Sequence, residues 1–172
     1  MSSDSPPDPR ELSCHGPTPI TKRIRGLLDE AGVDYRYVEH GPTKTSEESA
    51  VARGESLTVG GKSIVLRVGE TFRVCVLSAA RRLNSNRIRR RFGERSARFA
   101  TRDELHELTG LVPGCVPPFG PPILELPNCL DEAFLDYDRI AFNAGSLTCS
   151  IVMPRAAYVE LAKPEIFLFS KA

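Results

Sequence analysis

The chain has 172 residues, of which 41% are hydrophobic, and a formal net charge of +1. This length suits one domain, or one domain with a tail, and the hydrophobic content is sufficient for a buried core. The near-zero charge disfavours a globally basic nucleic-acid-binding protein, although positive charge can still be concentrated locally.

The five cysteines are odd in number and scattered along the chain, at Cys14, Cys75, Cys115, Cys129 and Cys149. They form no C-x-x-C pair, so the sequence indicates neither a zinc site nor a disulfide framework. No apolar run has membrane-spanning length, and the N-terminus lacks the pattern of a signal peptide. We therefore expect a cytoplasmic protein without a metal or other cofactor, and with neither a membrane nor DNA as a partner.

The N-terminal part of the chain divides into a predicted tail and a predicted helix. Residues 1–17 are rich in Ser, Pro and Asp, which predicts a mobile tail before a domain over 18–172. Thr18 is a suitable N-cap, Pro19 suits the first helical position, and Gly32 ends the apolar stripe that follows.

The rest of the chain alternates between short helical and short extended patterns. In chain order these patterns predict a strand at 34–40, a helix at 45–54, two strands within 62–79, a helix in the second half of 81–93, and a strand at 97–101. A helix at 101–110 follows, then strands at 122–126, 138–145 and 147–154, a helix at 154–163 and a strand at 165–170. Strand pairs mixed with short helices, without a repeat, predict an α+β fold on a mixed, curved sheet.

Three segments are candidates for a functional site. The loop "GLVPGCVPPFGPP", 110–122, contains three glycines and five prolines, so its amides could approach a carbonyl oxygen or a phosphate closely and rigidly. "NAGSLTCS", 143–150, could form the wall of a narrow pocket, and Lys62 could direct a cation towards an anionic ligand. The alternatives are a proline-rich connection without a ligand, a simple turn, and a solvated lysine.

Protein nucleophiles are poorly represented. Cys115 lies in the Gly/Pro loop, and His40 and His106 lie elsewhere, so a Cys–His pair remains conceivable. A lone cysteine in an apolar setting is more often a small core residue. No G-x-S-x-G, H-E-x-x-H or Walker motif is present.

In this order, four segments together resemble the YbaK-like family, which includes the editing domain inserted in bacterial prolyl-tRNA synthetases. They are "HGPTKTSEESA", "GKSIVLRV", "GLVPGCVPPFG" and "NAGSLTCSIVMP", and the resemblance runs from Thr18 to the C-terminus. It implies a mixed sheet tending to a barrel with surrounding helices. It also implies hydrolysis of the ester bond of wrongly charged tRNA by a freestanding enzyme that edits in trans.

The resemblance also implies roles for individual residues. Lys62, Gly114 and Gly145 would be the catalytic positions: Lys62 facing the terminal nucleotide, the Gly114 region supplying amides near the aminoacyl carbonyl, and Gly145 bounding the side-chain pocket. The implied substrate-binding residues are His40, Thr45, Ser63, Cys115, Asn143 and Ser146. Water would be the attacking group, so that orientation and electrostatics supply most of the rate.

Two departures from the family leave the amino-acid specificity open. Cys115 stands where glycine or alanine is common, and "NAGSLTCS" is less basic than the segment in many members. Two alternative functions also remain: a non-catalytic module that binds tRNA or a synthetase, and a hydrolase that uses Cys115.

The segment 80–98 carries eight arginines against the single acid Glu94. Charge runs of this kind are usually solvated helix faces. With tRNA as the substrate, however, they suit phosphates near the acceptor end. We therefore expect contacts to tRNA from Arg87, Arg89, Arg90 and Arg91, and a synthetase is a further candidate partner.

Overall fold

The computed structural model of the chain describes residues 6 and 8–172, so residues 1–5 and 7 of the predicted tail lie outside the described part. The helices are α1 Pro9–Leu12, α2 Pro19–Glu30, α3 Ser46–Arg53, α4 Ser85–Phe92, α5 Arg102–Thr109 and α6 Arg155–Ala162. The strands are β1 Arg36–Glu39, β2 Gly61–Val68, β3 Thr71–Ser78, β4 Arg82–Leu83, β5 Ala97–Phe99, β6 Asn128–Asp131, β7 Arg139–Asn143, β8 Cys149–Pro154, β9 Glu165–Phe167 and β10 Ser170–Lys171.

Side-chain caps fix the starts of three of the predicted helices, α2, α3 and α5. The Thr18 hydroxyl accepts a hydrogen bond from the Thr21 amide at 3.2 Å and starts α2. At α3 the Thr45 hydroxyl accepts from the Glu48 amide at 3.1 Å, and Gly54 ends that helix with φ +69°. These contacts satisfy amide groups that a helix start leaves without partners. The predicted helix boundaries at Thr18 and Thr45 are confirmed.

The strands form a mixed arrangement, as predicted. A five-stranded sheet has the order β5-β2-β3-β6-β9, in which β3, β6 and β9 are parallel, and a three-stranded sheet has the order β1-β8-β7. A small sheet pairs β10 with β4. In the described part of the chain, a single parallel bridge between Gly60 and Ala141 brings the two larger sheets together, but they do not close into a barrel.

The five-stranded sheet is covered on both faces. Val65, Val74 and Val76 belong to the larger apolar cluster, together with α2, α6 and the Gly/Pro loop. Leu66 and Leu77, which point the other way, belong to a second cluster closed by α4. Successive residues of a strand alternate between faces, so the continuous apolar run of β2 and β3 serves both clusters.

One predicted strand is wrong, and two short strands, β4 and β6, were not predicted. Residues 122–126 form turns, in which the Ile123 and Leu124 amides donate to the Gly120 carbonyl at 2.9 and 3.0 Å. Their apolar side chains are buried, so the hydrophobic pattern of this segment reflects its burial in the core rather than a strand. The strand in this region is β6, whose four residues are too few and too polar for alternation to reveal it.

The two ends of the chain also differ from the sequence prediction. Residues 8–17 pack against the domain rather than forming a mobile tail: Cys14 is buried, and its carbonyl accepts from the Leu147 amide at 2.7 Å. The predicted strand at 165–170 divides into β9 and β10, because the Asp131 carboxylate accepts from the amides of Phe169 and Ser170. The carboxylate thus takes the place of the backbone carbonyl groups that would accept from these two amides in a continuous strand.

Candidate active site

A cavity of about 400 Å³ opens where the two larger sheets meet. Its walls are the start of α3 and the segment before it, the first residues of β2, the strand β5 with Ala100, the Gly/Pro loop, and the end of β7. Five of the predicted site residues line this cavity: Thr45, Lys62, Ser63, Gly114 and Asn143.

The face of α3 that lines the cavity is polar. Ser46, Ser49 and Arg53 follow one another at helical spacing, and all three contribute to the lining. Ser49 and Arg53 are buried, and the Ser49 hydroxyl donates to Thr43 Oγ1 at 2.9 Å. A buried helix face is normally apolar, so this polar face indicates a cavity that receives polar groups.

Arg53 is the cation at the bottom of this polar face and is only 7% exposed. Its Nε donates to Ser150 Oγ at 2.9 Å and its Nη2 to Asn143 Oδ1 at 2.9 Å, while Nη1 makes a longer contact of 3.4 Å to the Ala141 carbonyl. Burial lowers the pKa of Arg53 to about 10, so the guanidinium remains charged at neutral pH.

Asn143 connects Arg53 to the Gly/Pro loop. While its Oδ1 accepts from Arg53, its Nδ2 donates to the Gly114 carbonyl at 2.7 Å. Both polar ends of the amide are therefore used within the protein, which fixes the loop relative to β7. Asn143 thus holds the wall of the site rather than offering a free group to a ligand.

Gly114 adopts φ +95°, a conformation that L side chains rarely take. Its amide and that of Val116 donate to no acceptor among the described residues, and both residues line the cavity. Backbone amides without internal partners at a cavity wall can bind an oxygen that carries negative charge.

Lys62 is the second residue of β2, follows two glycines and is half-buried. Its Nζ lies 3.5 Å from the Arg81 carbonyl, and burial lowers the pKa of its ammonium below the usual range. A Cβ at Gly61 would lie 2.9 Å from Ile140 Cδ1, so that side chain would have to shift to admit it. Next to Lys62, the Ser63 hydroxyl is buried without a partner among the described residues. Both residues line the cavity, to which they bring a cation and a hydroxyl without a partner among the described residues, although their side chains leave β2 on opposite faces.

The other predicted site residues lie outside the cavity lining. Gly145 has φ +70° and packs against α2, where a Cβ would be 2.5 Å from Ile20 Cγ2. The Ser146 hydroxyl donates to the Cys14 carbonyl at 3.0 Å. His40 is bound at one ring nitrogen to the Gly41 carbonyl and at the other to Ser150 Oγ, each at 2.8 Å. His40 therefore reaches the site indirectly, through the serine that also contacts Arg53.

Cys115 is fully buried, and its Sγ donates to the Val112 carbonyl at 3.2 Å. The contact with Cys14 and burial raise the pKa of the Cys115 thiol, which keeps it protonated. In the described part of the chain no histidine hydrogen-bonds to it. The geometry gives no support to a Cys–His nucleophile.

The four predicted tRNA-binding arginines lie on α4 and its C-terminal end, away from the cavity. Arg91 pairs with Glu165 at 3.0 Å, and Arg87 donates to the Ser170 carbonyl at 3.2 Å. Arg89 bonds Asn86 and the Arg95 carbonyl, whereas Arg90 is exposed without a side-chain partner among the described residues. Three of these arginines thus use their guanidinium groups in contacts within the protein, whereas Arg90 faces the solvent.

Sequence reasoning did not identify Arg53, Thr43 or Ser49 as site residues. An arginine at the end of a short helix is usually solvated or interacts with the helix C-terminus. The available signal was the face of α3, where serine and arginine occupy the positions that an amphipathic helix fills with apolar residues.

Comparison with known proteins identifies the family. Residues 40–161 match the family described as "Aminoacyl-tRNA editing domain". The "Multifunctional Ser/Thr-tRNA deacylase ProXp-y" of Escherichia coli K12 is 33% identical over 156 residues, which cover 87% of this chain and 92% of that protein. The protein of the same name from Escherichia coli O157:H7 matches equally well.

Solved structures agree with this result. A crystal structure described as a candidate trans-editing enzyme for prolyl tRNA synthetase superposes with a TM-score of 0.77 at 27% identity, covering 90% of this chain and 99% of the other. The hypothetical protein APE2540 has the same TM-score, 0.77, at 22% identity, over 87% of this chain and 99% of its own, and shares the fold.

The fold is that of a domain that edits charged tRNA. The chain belongs to the aminoacyl-tRNA editing domain family, and it is an aminoacyl-tRNA deacylase that acts on mischarged tRNA. The family resemblance, the fold class and the deacylase activity predicted from the sequence are confirmed. In the described part of the chain, no helix is long and apolar enough to cross a membrane.

Proposed function

We propose that this deacylase removes serine and threonine from tRNAs that carry them wrongly, and that it does so in trans, separately from a synthetase. The observation that carries the proposal is the polar floor of the cavity, where Thr43, Ser49 and Arg53 are buried. An apolar aminoacyl side chain would leave the donors that Thr43 and Arg53 do not use within the protein without partners, which is costly. The relative named as a Ser/Thr-tRNA deacylase supports the same substrate class.

In the proposed reaction, water adds its oxygen to the ester carbonyl carbon, and the bond from that carbon to the ribose oxygen then breaks. The ribose oxygen takes up a proton, and the free amino acid leaves with the oxygen from water. The Gly114 amide, which has no acceptor among the described residues, would stabilise the negative oxygen that forms on the carbonyl carbon. A hydroxyl of the terminal ribose would orient the water.

Lys62 would hold the terminal nucleotide in this reaction. A half-buried ammonium at the cavity wall attracts phosphate or ester oxygens more strongly than a solvated one does, because less water screens it. Ser63, whose hydroxyl has no partner among the described residues, would accept or donate a hydrogen bond to the same nucleotide.

Phe99 is a candidate contact for the terminal base. It contributes to the cavity lining, and 60% of its surface is exposed. Within the described residues it is the one aromatic among the exposed large hydrophobic side chains. Bases stack on exposed aromatic rings without requiring a particular sequence. We place the terminal adenine against this ring.

The substrate class indicates a partner protein and a location in the cell. Mischarged tRNA is made by synthetases, so a synthetase that releases such a tRNA is the proposed partner, and the cytoplasm is the proposed location. A neighbouring structure described in connection with prolyl tRNA synthetase supports a synthetase connection. We place the four α4 arginines against phosphates of the acceptor stem.

A deacylation assay with a panel of charged tRNAs tests the proposal. We expect release of serine and threonine from mischarged tRNA, and slow or no release of larger apolar amino acids such as leucine. Binding of these tRNAs without hydrolysis would instead indicate the non-catalytic module. Equal release of serine and leucine would contradict the proposed substrate class.

A further inference from the structure

Arg53 is a buried cation without a buried anion beside it. Among the described residues, no carboxylate lies within ion-pair distance of its guanidinium, and the nearby Glu55 is instead paired with Arg36 and Arg139 at 2.9 Å each. Burying a charge without a counter-ion is expensive. A protein retains such an arginine where its donors serve a ligand.

Counting the donors of Arg53 shows where a ligand would bind. A guanidinium carries five N–H groups. Three contacts are present in the described structure: to Ser150, to Asn143 and, more weakly, to the Ala141 carbonyl. Two N–H groups, borne by the two terminal nitrogens, therefore remain without an acceptor. The residue itself lines the cavity.

We propose that these two donors of Arg53 bind the side-chain oxygen of the aminoacyl group, and that Arg53 is thereby the residue that selects hydroxyl-bearing amino acids. The inference rests on the proposed function and names the residue responsible for its substrate class. Serine and alanine differ by that one oxygen, so their esters isolate the contribution of Arg53.

The packing around Arg53 makes this contact selective. The Nε and Nη2 groups of Arg53, which donate to Ser150 and Asn143, are held in place because these two residues also hydrogen-bond to each other at 3.0 Å. The guanidinium cannot turn away when an alanyl group leaves its remaining donors unpaired. A site built to bind a substrate hydroxyl discriminates strongly against the analogue that lacks it, because the buried donors are then unsatisfied.

The test compares seryl and alanyl esters on the same tRNA. For the wild-type protein we expect kcat/KM to favour seryl-tRNA by roughly 10- to 100-fold, the range of one hydrogen bond to a charged donor. Arg53→Met should lower kcat/KM for seryl-tRNA at least about tenfold more than that for alanyl-tRNA. Arg139→Gln is the matched control, since Arg139 also lies near Glu55 but outside the cavity lining, and should leave the ratio unchanged.

Each outcome bears on the inference. An equal loss on both esters in a folded Arg53→Met protein would overturn it, because Arg53 would then serve the fold or the reacting carbonyl. A wild-type enzyme that hydrolyses both esters equally well would also overturn it, while leaving the deacylase activity intact. Hydrolysis of alanyl but not seryl or threonyl esters would overturn the proposed substrate class as well.

A second variant covers the case in which Arg53→Met does not fold. Arg53→Lys retains the buried charge but has three N–H donors in place of five, and the acceptors on Ser150, Asn143 and Ala141 would occupy them. We expect the same fall in the seryl-to-alanyl ratio with a melting temperature close to that of wild type. An unchanged ratio in Arg53→Lys would overturn the inference.

Discussion

The side-chain amide of Asn143 donates to the carbonyl of Gly114 at 2.7 Å, which ties the end of β7 to the Gly/Pro loop. Because Oδ1 of the same amide accepts from Arg53, one asparagine joins the cation on the cavity floor to the wall that carries the free Gly114 amide. The orientation of that amide therefore depends on a side chain that is itself fixed at both ends.

Asn143→Asp tests this connection. The carboxylate would keep the contact with Arg53 and strengthen it, but it would repel the Gly114 carbonyl instead of donating to it. We expect the loop to shift and kcat to fall about 100-fold, the typical cost of a small misplacement of catalytic groups. Rates on charged tRNA, together with thermal unfolding, provide the measurement. A wild-type kcat in Asn143→Asp would show that the contact to Gly114 has no role in catalysis.

Lys62→Ala should reduce kcat/KM about 100-fold, the usual effect of removing one preorganised electrostatic contact. The fold should remain intact, because Lys62 is half-buried and makes one long contact, to the Arg81 carbonyl. Lys44→Ala is a suitable control, since Lys44 also lines the cavity but has an exposed side chain that interacts with Glu11 at 3.6 Å. Normal turnover by a folded Lys62→Ala protein would remove Lys62 from the site.

Cys115→Ser should retain most of the deacylase activity. The thiol is buried against the Val112 carbonyl, and its raised pKa leaves it protonated, so it is not an available nucleophile. A serine hydroxyl can make the same hydrogen bond. Complete loss of activity in a folded variant, together with a trapped acyl-enzyme in the wild type, would revive the cysteine mechanism.

The sequence predicted the parts of the site that depend on backbone and on position in the chain. Gly114 was recognisable because a loop with three glycines and five prolines cannot continue a helix or a central strand, and Lys62 because it opens the clearest strand pair. Both line the cavity in the structure. Local chemistry made both residues candidates but left a connecting loop and a solvated lysine as alternatives, and the family resemblance supplied their expected roles.

The parts of the site that depend on tertiary packing were not predictable in the same way. Gly145 has the positive φ expected of a functional turn, but what requires it is the close approach of Ile20 on α2, more than a hundred residues earlier. Arg53 looks like a surface residue until its side chain is seen to reach Asn143 on β7 and Ser150 on β8. For Gly145→Ala we therefore assign the main effect to stability rather than to catalysis.

Glu104→Gln should lower the free energy of unfolding at neutral pH and have no such effect near pH 2. The hydrogen bond from Arg98, with those from Thr101, lowers the pKa of Glu104 from 4.5 to about 2 in the folded protein. A lowered folded-state pKa means that the carboxylate contributes stability above pH 4.5, which is lost as the pH falls towards 2. Denaturant unfolding of the wild-type and Glu104→Gln proteins between pH 2 and 7 measures the difference between their free energies of unfolding. A constant difference across that range would contradict the assignment.

The arginines of α4 can be tested through the salt dependence of the reaction. Arg90 is exposed without a side-chain partner in the described part of the chain, whereas the charge of Arg91 is offset by Glu165. Removing one phosphate contact should reduce the slope of log kcat/KM against log salt by about one. We therefore expect Arg90→Gln to raise the KM for charged tRNA and to flatten its salt dependence, and Arg91→Gln to do so less.

Hydrolysis of a minimal aminoacyl-adenosine ester, which has no acceptor-stem phosphates, should be unaffected by either change, because α4 lies on the far side of the five-stranded sheet from the larger cluster. Equal losses on tRNA and on the minimal ester would mean that these arginines support the fold, and no loss on either would leave them a solvated helix face.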